Sequence, residues 1–545
     1  MYYTHRYTHP LVMEIAQEFQ SFVTMLDKSQ VEFDLGSEMI IRNRGKVKDG
    51  KFVVGNRSYS TVIITAKSEN LFGSTAALLK QFANEGGKII ALGTPDRVDG
   101  YLNDEIVQLW RSPNVKQEFD IAELTNSHIA FNNITGGDLH HHRREYKDGE
   151  VLFLANSSLD ECVKGSVTIC GAGVKVFDTY TGEIFRNNKA VVKDGKVEFS
   201  FNIPPVGHLL VFAPKKACGL DKLPVAECSC LKQATKAKAT SELAVHRVND
   251  NFLAIEFCDL EIDNTTTRNI FAGKACQELY KHFEMQNPWE RTMHYKDAII
   301  KADTIKTGNI TVSYRFNVAE KFDWSDVKFV CERPSLWEVR INGNKVEPTD
   351  GEMPLDTRNG SYGIGSHIRL GENIVTLHRS PMSIYAEIAC GFVAGNFSVV
   401  PTKNGWNIVA PKALSLGSWR KQGAPFYAWD VAYSRSFDLP CEGSKILKLN
   451  DWNGSVCEVW VNGEKAGAIL TQPYTLDITK YTKEGSNDIE VRCSGTLYNV
   501  YGPHFHDCKG RTIPKSWYIN AEVTSGENYR LYEYGLNEEF EVLVK

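Results

Sequence analysis

Aromatic rings are concentrated in residues 401–545, beside a few polar side chains. Rings of this kind hold sugars by stacking on their C–H faces, while neighbouring polar groups bind the hydroxyls. Packing in a core or between domains is the competing interpretation for most of these rings. The candidates for sugar binding in this region are Trp419, Tyr427, Trp429, Trp452, Trp460 and His504.

Trp460 is the ring that the residue pattern turns outward. Period-two alternation puts an apolar trio on one face of its strand and Trp460, with Glu458, on the other. The trio, which we expect in the core, is Cys457, Val459 and Val461.

Three histidines followed by two arginines, at residues 140–144, form a second candidate group. Consecutive residues of a strand point to opposite faces, which disfavours a shared metal ion. We favour a contact with a sugar or with another domain for His142 and Arg143. His504 and His506 would share a strand face beside Asp507, and a hydrogen-bonded structural role is favoured there over a metal. No metal ligand is predicted.

Several other chemistries are disfavoured by composition and motif. The formal charge of -5 provides no basic surface for nucleic acid, and no apolar run is long enough to span a membrane. No cysteine precedes Cys162, which excludes a cysteine-dependent glutaminase in the first domain. Phosphate-loop and dinucleotide motifs are absent from the sequence. The sequence therefore predicts no cofactor. Structural calcium stays an open alternative that no residue pattern supports.

The candidate residues must be positioned by several domains, because 545 residues exceed what one core can hold. Helical spacing after Pro10, followed by strand, helix and strand signals, predicts an α/β domain over residues 1–135. The period then changes to two, which predicts a small β-domain over residues 136–214. Residues 215–244 lack clear periodicity and are predicted to be a connector.

An internal repeat organises the rest of the chain. Residues 337–345 (WEVRINGNK) match residues 457–465 (CEVWVNGEK), and each copy is followed by a Gly-x-Asn strand start. We expect two β-sandwiches, at residues 245–400 and 401–545, in which Asn342-Gly343 and Asn462-Gly463 occupy the same place.

The repeat resembles the galactose-binding-like jelly-roll domains of glycoside hydrolases. Further phrases follow in order, among them GGKIIALG at 86–93, VLFLAN at 151–156, FDTYTGEI at 177–184 and LYNVYGPH at 497–504. Together they resemble the carboxyl-terminal two-thirds of glycoside hydrolase family 106, the α-L-rhamnosidase-like enzymes. The resemblance implies a multidomain, mainly β protein. Its first domain would be a truncated α/β domain of the amidotransferase or flavodoxin type.

In that family the catalytic carboxylates lie on an amino-terminal barrel, and the sequence contains no eightfold βα pattern. The resemblance therefore implies an accessory part of a carbohydrate-active glycoside hydrolase, with an upstream catalytic domain as a partner. Whether the chain itself is an enzyme stays open, and no catalytic residue is assigned.

The alternative is a stand-alone carbohydrate-binding or interaction protein. Both interpretations expect carbohydrate ligands, with rhamnose- or galactose-containing glycans as the candidates, and neither expects nucleic acid or a membrane as a partner. For the sequence as given, the expected location is the cytoplasm. If the chain is part of a longer precursor, the expected location is outside the cell.

Purified protein is predicted not to hydrolyse an aryl α-L-rhamnoside above background. Glycoside hydrolysis requires a positioned acid and a second carboxylate, and the recognised domains normally flank the site that holds them. A chromogenic rhamnoside assay measures this directly. Turnover that disappears when one carboxylate is changed would overturn the prediction.

Overall fold

The computed structural model describes residues 10–124, 128–225, 234–290, 293–302, 304–349, 351, 354–505 and 521–545. Strands dominate, and the chain forms two compact units. The first unit is Met1–Ser229 with Thr471–Pro473, and the second is Cys230–Leu470 with Tyr474–Lys545. No helix among the described residues combines the length and apolar character needed to cross a membrane.

The first unit opens with an α/β part. Its helices are α1 (Pro10–Lys28), α2 (Glu38–Arg44), α3 (Gly73–Asn84) and α4 (Asp104–Leu109). Its strands are β1 (Gly45–Lys48), β2 (Lys51–Val54), β3 (Arg57–Tyr59), β4 (Thr61–Ile64), β5 (Asn70–Leu71), β6 (Lys88–Ala91), β7 (Arg97–Val98), β8 (Tyr101–Leu102) and β9 (Val115–Lys116). Strands β4, β6 and β9 form a parallel sheet, and α3 connects β4 to β6 as predicted. Helix α3 begins at Gly73.

A small β-sandwich completes this unit. Its strands are β10 (Ile129–Thr135), β11 (Leu139–Glu145), β12 (Gly149–Asn156), β13 (Val163–Cys170), β14 (Lys175–Phe177), β15 (Ile184–Arg186), β16 (Val191–Lys193), β17 (Lys196–Ile203) and β18 (His208–Pro214). One sheet has the order β10-β13-β17-β16, the other β11-β12-β18-β14-β15, and apolar residues of both form one core. Because β10 pairs with β13, the predicted boundary at residue 136 falls inside this sandwich.

Glycine sets the hairpin that leads into β12. Two other Asp-Gly turns, at Asp49 and Asp194, have the left-handed backbone that such turns use. Asp148 and Gly149 do not adopt this left-handed backbone, and Gly149 already belongs to β12. A Cβ on Gly149 would lie 2.4 Å from the carbonyl oxygen of Ala213. Glycine therefore lets β12 approach β18 closely, directly before Glu150.

The first two strands of the second unit pair with strands from near the end of the chain. Strand β19 (Thr235–Lys236) pairs with the final strand of the chain, and β20 (Ala244–Arg247) pairs with Asp430–Leu439. The predicted connector and the expected start of the first sandwich at residue 245 therefore contribute to the second sandwich instead. Backbone hydrogen bonds to a distant sheet edge, rather than side-chain periodicity, hold these short strands.

The first sandwich of this unit follows. Its strands are β21 (Asn251–Ile255), β22 (Phe257–Ile262), β23 (Thr265–Phe271), β24 (Ile305–Lys306), β25 (Ile310–Val318), β26 (Lys328–Glu332), β27 (Glu338–Ile341), β28 (Asn344–Val346), β29 (Asn359–Gly363), β30 (Gly371–Arg379), β31 (Met382–Ser383), β32 (Gly391–Gly395), β33 (Ser398–Thr402) and β34 (Gly405–Val409). Helices α5 (Ala272–His282) and α6 (Met293–Lys301) lie between β23 and β24. The sheets are β21-β32-β26-β29 and β23-β22-β25-β30-β27-β28, and β34 joins β25. The sandwich thus extends past the expected boundary at residue 400.

The second sandwich contains the remaining strands. They are β35 (Asp430–Leu439), β36 (Lys445–Lys448), β37 (Trp452–Asn453), β38 (Val456–Val461), β39 (Glu464–Ile469), β40 (Thr475–Asp477), β41 (Gly485–Ser494), β42 (Gly535–Leu536) and β43 (Glu541–Val544). Its sheets have the orders β20-β35-β41-β38-β39 and β19-β43-β36-β40. Helix α7 (Tyr498–Tyr501) follows the long strand β41, and Val500 of this helix packs into the core of the first sandwich.

The internal repeat is visible in the hydrogen bonds of its two asparagine-glycine turns. Both asparagines have left-handed backbones, with φ of 50° at Asn342 and 51° at Asn462. Each donates from its side chain to a second buried asparagine, Asn373 at 2.9 Å and Asn487 at 3.0 Å. Each turn also joins equivalent strands, because β25-β30-β27-β28 and β35-β41-β38-β39 have the same order. The sequence prediction that the two turns hold the same place is confirmed.

Candidate functional site

The structure corrects the prediction that Trp419 and Tyr427 form an exposed sugar platform. Their exposed fractions are 1% and 0%, and both belong to the core of the second sandwich. The indole nitrogen of Trp419 donates to the hydroxyl of Tyr433 at 2.8 Å, and the hydroxyl of Tyr427 donates to the carbonyl of Asp430 at 2.7 Å. Their polar atoms are thus satisfied inside the protein, so neither ring is available to a ligand.

The other rings of the last domain are half-buried. Trp429 packs against the cores of both sandwiches, and Trp452 packs edge-on against Tyr474 at 5.5 Å. Trp460 lies on the outer face of its sheet, as predicted, while the apolar trio beside it is fully buried. The guanidinium of Arg492 lies 4.5 Å from the centre of the Trp460 ring and covers it.

The prediction that His504 contacts sugar is also wrong, because the exposed fraction of this side chain is 0%. Its Nδ1 lies 2.8 Å from Oε1 of Glu256, which is equally buried. Its Nε2 faces the carbonyl oxygens of Tyr498 and Asn499 at 3.2 and 3.1 Å. His504 is therefore a hydrogen-bonded structural residue. His506, Asp507 and Cys508 lie outside the described residues.

An open groove in the first unit contains His142 and Arg143, the remaining two predicted residues. Its volume is about 470 Å³, within the range of small-ligand sites. Asp34 and Arg57 line it together with residues 142–146. Arg144 and Tyr146, which also line it, are not among the residues predicted from the sequence. Period-two alternation from His142 would have indicated Arg144, which is exposed on the same strand.

Arg143 is the fixed element of this groove. Its Nε and Nη2 donate to the two carboxylate oxygens of Glu32 at 2.8 and 3.0 Å, and its Nη1 lies 3.2 Å from Oε1 of Glu150. Hydrogen bonding and charge from Glu32 raise the pKa of Arg143, against the effect of its burial. A guanidinium held by two carboxylates is preorganised, because it has little side-chain freedom left to lose.

The two histidines that precede His142 on this strand, His140 and His141, each contact a polar side chain from residues 27–30. Nδ1 of His140 lies 2.5 Å from Oδ2 of Asp27, and Nδ1 of His141 donates to Oε1 of Gln30 at 2.8 Å. Burial lowers the pKa of His141, so its neutral form is favoured in the folded protein. His142 alone of the three is exposed, and it faces the groove.

The first sandwich contains a carboxylate pair that sequence reasoning missed. Burial, and then the charge of Glu332, raise the pKa of Glu387 to about 7. Both residues line a cavity of about 10 Å³, which has room for a single water molecule and none for a sugar ring. The two residues are 55 positions apart, so no local motif could have indicated the pair.

Comparison with known proteins gives remote similarities. No protein-family model matches the chain. A stretch of 144 residues is 26% identical to a protein of Formosa agariphila named "Putative beta-glucuronidase" and covers 24% of this chain and 17% of that protein. The solved rhamnosidase from Novosphingobium sp. PP1Y has a TM-score of 0.43 at 12% identity, over 93% of this chain and 35% of its own. The Streptomyces avermitilis α-L-rhamnosidase has a TM-score of 0.20 at 10% identity, over 76% of this chain and 41% of its own.

The proteins in these comparisons are named as glycoside hydrolases, and this chain spans less than half the length of each. The similarities are too remote to show a family. The particular family inferred from sequence phrases therefore stays a prediction.

Proposed function

We propose that this chain is a carbohydrate-binding accessory part of an α-L-rhamnosidase-like glycoside hydrolase, and that it binds sugar in the groove beside Arg143. The observation that carries the proposal is the groove itself. It is open, it is of ligand size, and it has a guanidinium fixed at its base by two carboxylates.

The exposed residues of the groove supply the groups that sugars require. Tyr146 is 48% exposed and offers an aromatic face. His142, Arg144 and Asp34 offer hydrogen-bonding groups for hydroxyls. The exposed side chain of Arg144 has no hydrogen bond or ion pair among the described residues, so it can take a carboxylate of an acidic sugar. The Formosa protein is named for action on glucuronides, which is in keeping with that use.

The alternative is a stand-alone carbohydrate-binding or interaction protein. A protein of this kind would bind sugar in the same groove. The two proposals differ only in whether a catalytic domain is part of the same protein. Determining whether a catalytic barrel is encoded in frame with this sequence distinguishes the two.

Binding to the groove is expected to be weak, with dissociation constants on the order of 0.1 to 1 mM, because an open groove buries little of a saccharide. Calorimetry or ligand-observed NMR measures it with rhamnose-, galactose- and glucuronate-containing oligosaccharides. Arg144→Ala and Tyr146→Ala are each expected to weaken binding about tenfold, the loss of one charged hydrogen bond or one stacked ring.

Arg111→Ala is the matched control, because Arg111 is an exposed arginine of the same unit that does not line the groove. Equal loss of affinity in Arg111→Ala and Arg144→Ala would indicate general charge attraction. Affinity that survives Arg144→Ala combined with Tyr146→Ala would contradict the proposed site.

A further inference from the structure

Three side chains with metal-ligating atoms meet at one end of the small β-sandwich. Ile129 pairs with Ile169, so the next residues outward, His128 and Cys170, lie side by side. Nδ1 of His128 is 3.9 Å from Sγ of Cys170. Glu150 reaches them from the facing sheet, and one ligand atom of each residue lies within 4.8 Å of the others.

One oxygen of Glu150 has no partner in the described structure. Glu150 is 3% exposed, and its Oε1 is occupied by the ion pair with Arg143. Its Oε2 is buried without a hydrogen bond. Burial raises the pKa of Glu150 although Arg143 opposes the shift. A buried carboxylate oxygen without a partner destabilises the folded protein. A hydrogen-bond donor or a cation bound to this oxygen would remove that cost.

The three donors suit zinc better than calcium. Zinc takes thiolate, imidazole and carboxylate ligands at about 2.0 to 2.3 Å, whereas calcium takes oxygen ligands. Tetrahedral geometry at those bond lengths separates the ligand atoms by about 3.3 to 3.6 Å. The widest pair, at most 4.8 Å apart, must close by about 1.2 to 1.5 Å to reach that separation, which is shared between two side chains, and His128 and Cys170 at 3.9 Å are already near it.

We propose that His128, Glu150 and Cys170 form a zinc site that joins the two sheets of the small β-sandwich. His128 and Cys170 belong to the β10-β13 end of one sheet, and Glu150 belongs to β12 of the other. The fourth position is open to water. Arg143 holds the second oxygen of Glu150 and so orients the carboxylate toward the metal. The proposal does not depend on sugar binding.

Cobalt(II) is the probe for this site, because tetrahedral cobalt with a thiolate ligand has a charge-transfer band and strong visible bands. Titration of the full, reduced chain is expected to show these bands saturating at one equivalent, followed by their loss when zinc is added. Cys170→Ser is expected to abolish the charge-transfer band, and His128→Ala to weaken zinc binding at least about tenfold. Cys162→Ser is the matched control, because Cys162 is an exposed cysteine of the same sandwich, and its spectrum is expected to be unchanged.

Thermal unfolding gives a second readout that does not depend on colour. Zinc is expected to raise the melting temperature of the unaltered protein and of Cys162→Ser, and not that of Cys170→Ser, because a ligand that binds the folded state stabilises it. Absence of tetrahedral cobalt bands, or a charge-transfer band that persists in Cys170→Ser, would overturn the site. A circular dichroism spectrum of Cys170→Ser establishes that the variant is folded.

Discussion

Glu256→Ala is expected to lower the free energy of unfolding of the second unit by about 1 to 3 kcal/mol, the usual cost of leaving a buried polar group without its hydrogen-bond partner. Nδ1 of His504 lies 2.8 Å from Oε1 of Glu256, and its Nε2 faces two backbone carbonyl oxygens. Without Glu256 the Nδ1 atom would lose its hydrogen-bond partner at a site with 0% exposure. Urea unfolding followed by tryptophan fluorescence measures the effect, because every tryptophan except Trp110 belongs to this unit.

The matched control is Glu261→Ala, on the neighbouring strand β22, where the side chain is exposed. Its free energy of unfolding is expected to change by less than about 0.5 kcal/mol, as for other surface substitutions. A Glu256→Ala midpoint as close to the unaltered protein as that of Glu261→Ala would refute the structural role assigned to His504.

Glu387→Gln is expected to stabilise the second unit at pH 8 by about 3 kcal/mol and to have little effect near pH 4.5. Burial and the charge of Glu332 raise the pKa of Glu387 to about 7 in the folded protein, against an ordinary value of 4.5. Between these values the folded state binds more protons than the unfolded state. Stability therefore falls as pH rises from 4.5 through 7 and then levels off. A glutamine keeps the shape of the protonated acid and removes this loss.

The quantity to measure is the difference between Glu387→Gln and the unaltered protein in urea midpoint at several pH values. That difference cancels the titration of all other groups. Glu347→Gln is a control, because Glu347 is an exposed acid of the same sandwich. A difference that does not change between pH 4.5 and 8 would show that Glu387 titrates as an ordinary surface acid.

The local patterns of the sequence predicted local structure correctly. The Asn-Gly turns, the outward position of Trp460 and the parallel strand-helix-strand unit each depend on residues within one or two neighbouring elements. Alternation along β11 likewise separates Arg143, which faces inward to Glu32, from His142, which is exposed.

Pairings between distant segments could not be predicted in the same way. Strands β19 and β20 are short and weakly patterned, and their partners are roughly 190 to 310 residues away. Composition also cannot tell a core tryptophan from a binding tryptophan. The burial of Trp419 depends on the hydroxyl of Tyr433, which a separate strand supplies.

Saccharide binding beside Arg143 is measurable by hydrogen exchange mass spectrometry of the full chain with and without a saturating oligosaccharide. We expect slower exchange in peptides covering residues 139–150, where the groove strand and its turn lie. Peptides around Trp419 and Trp452 are expected to be unchanged. Protection confined to residues 414–460, or no protection at saturating ligand, would show that saccharide does not bind in the groove.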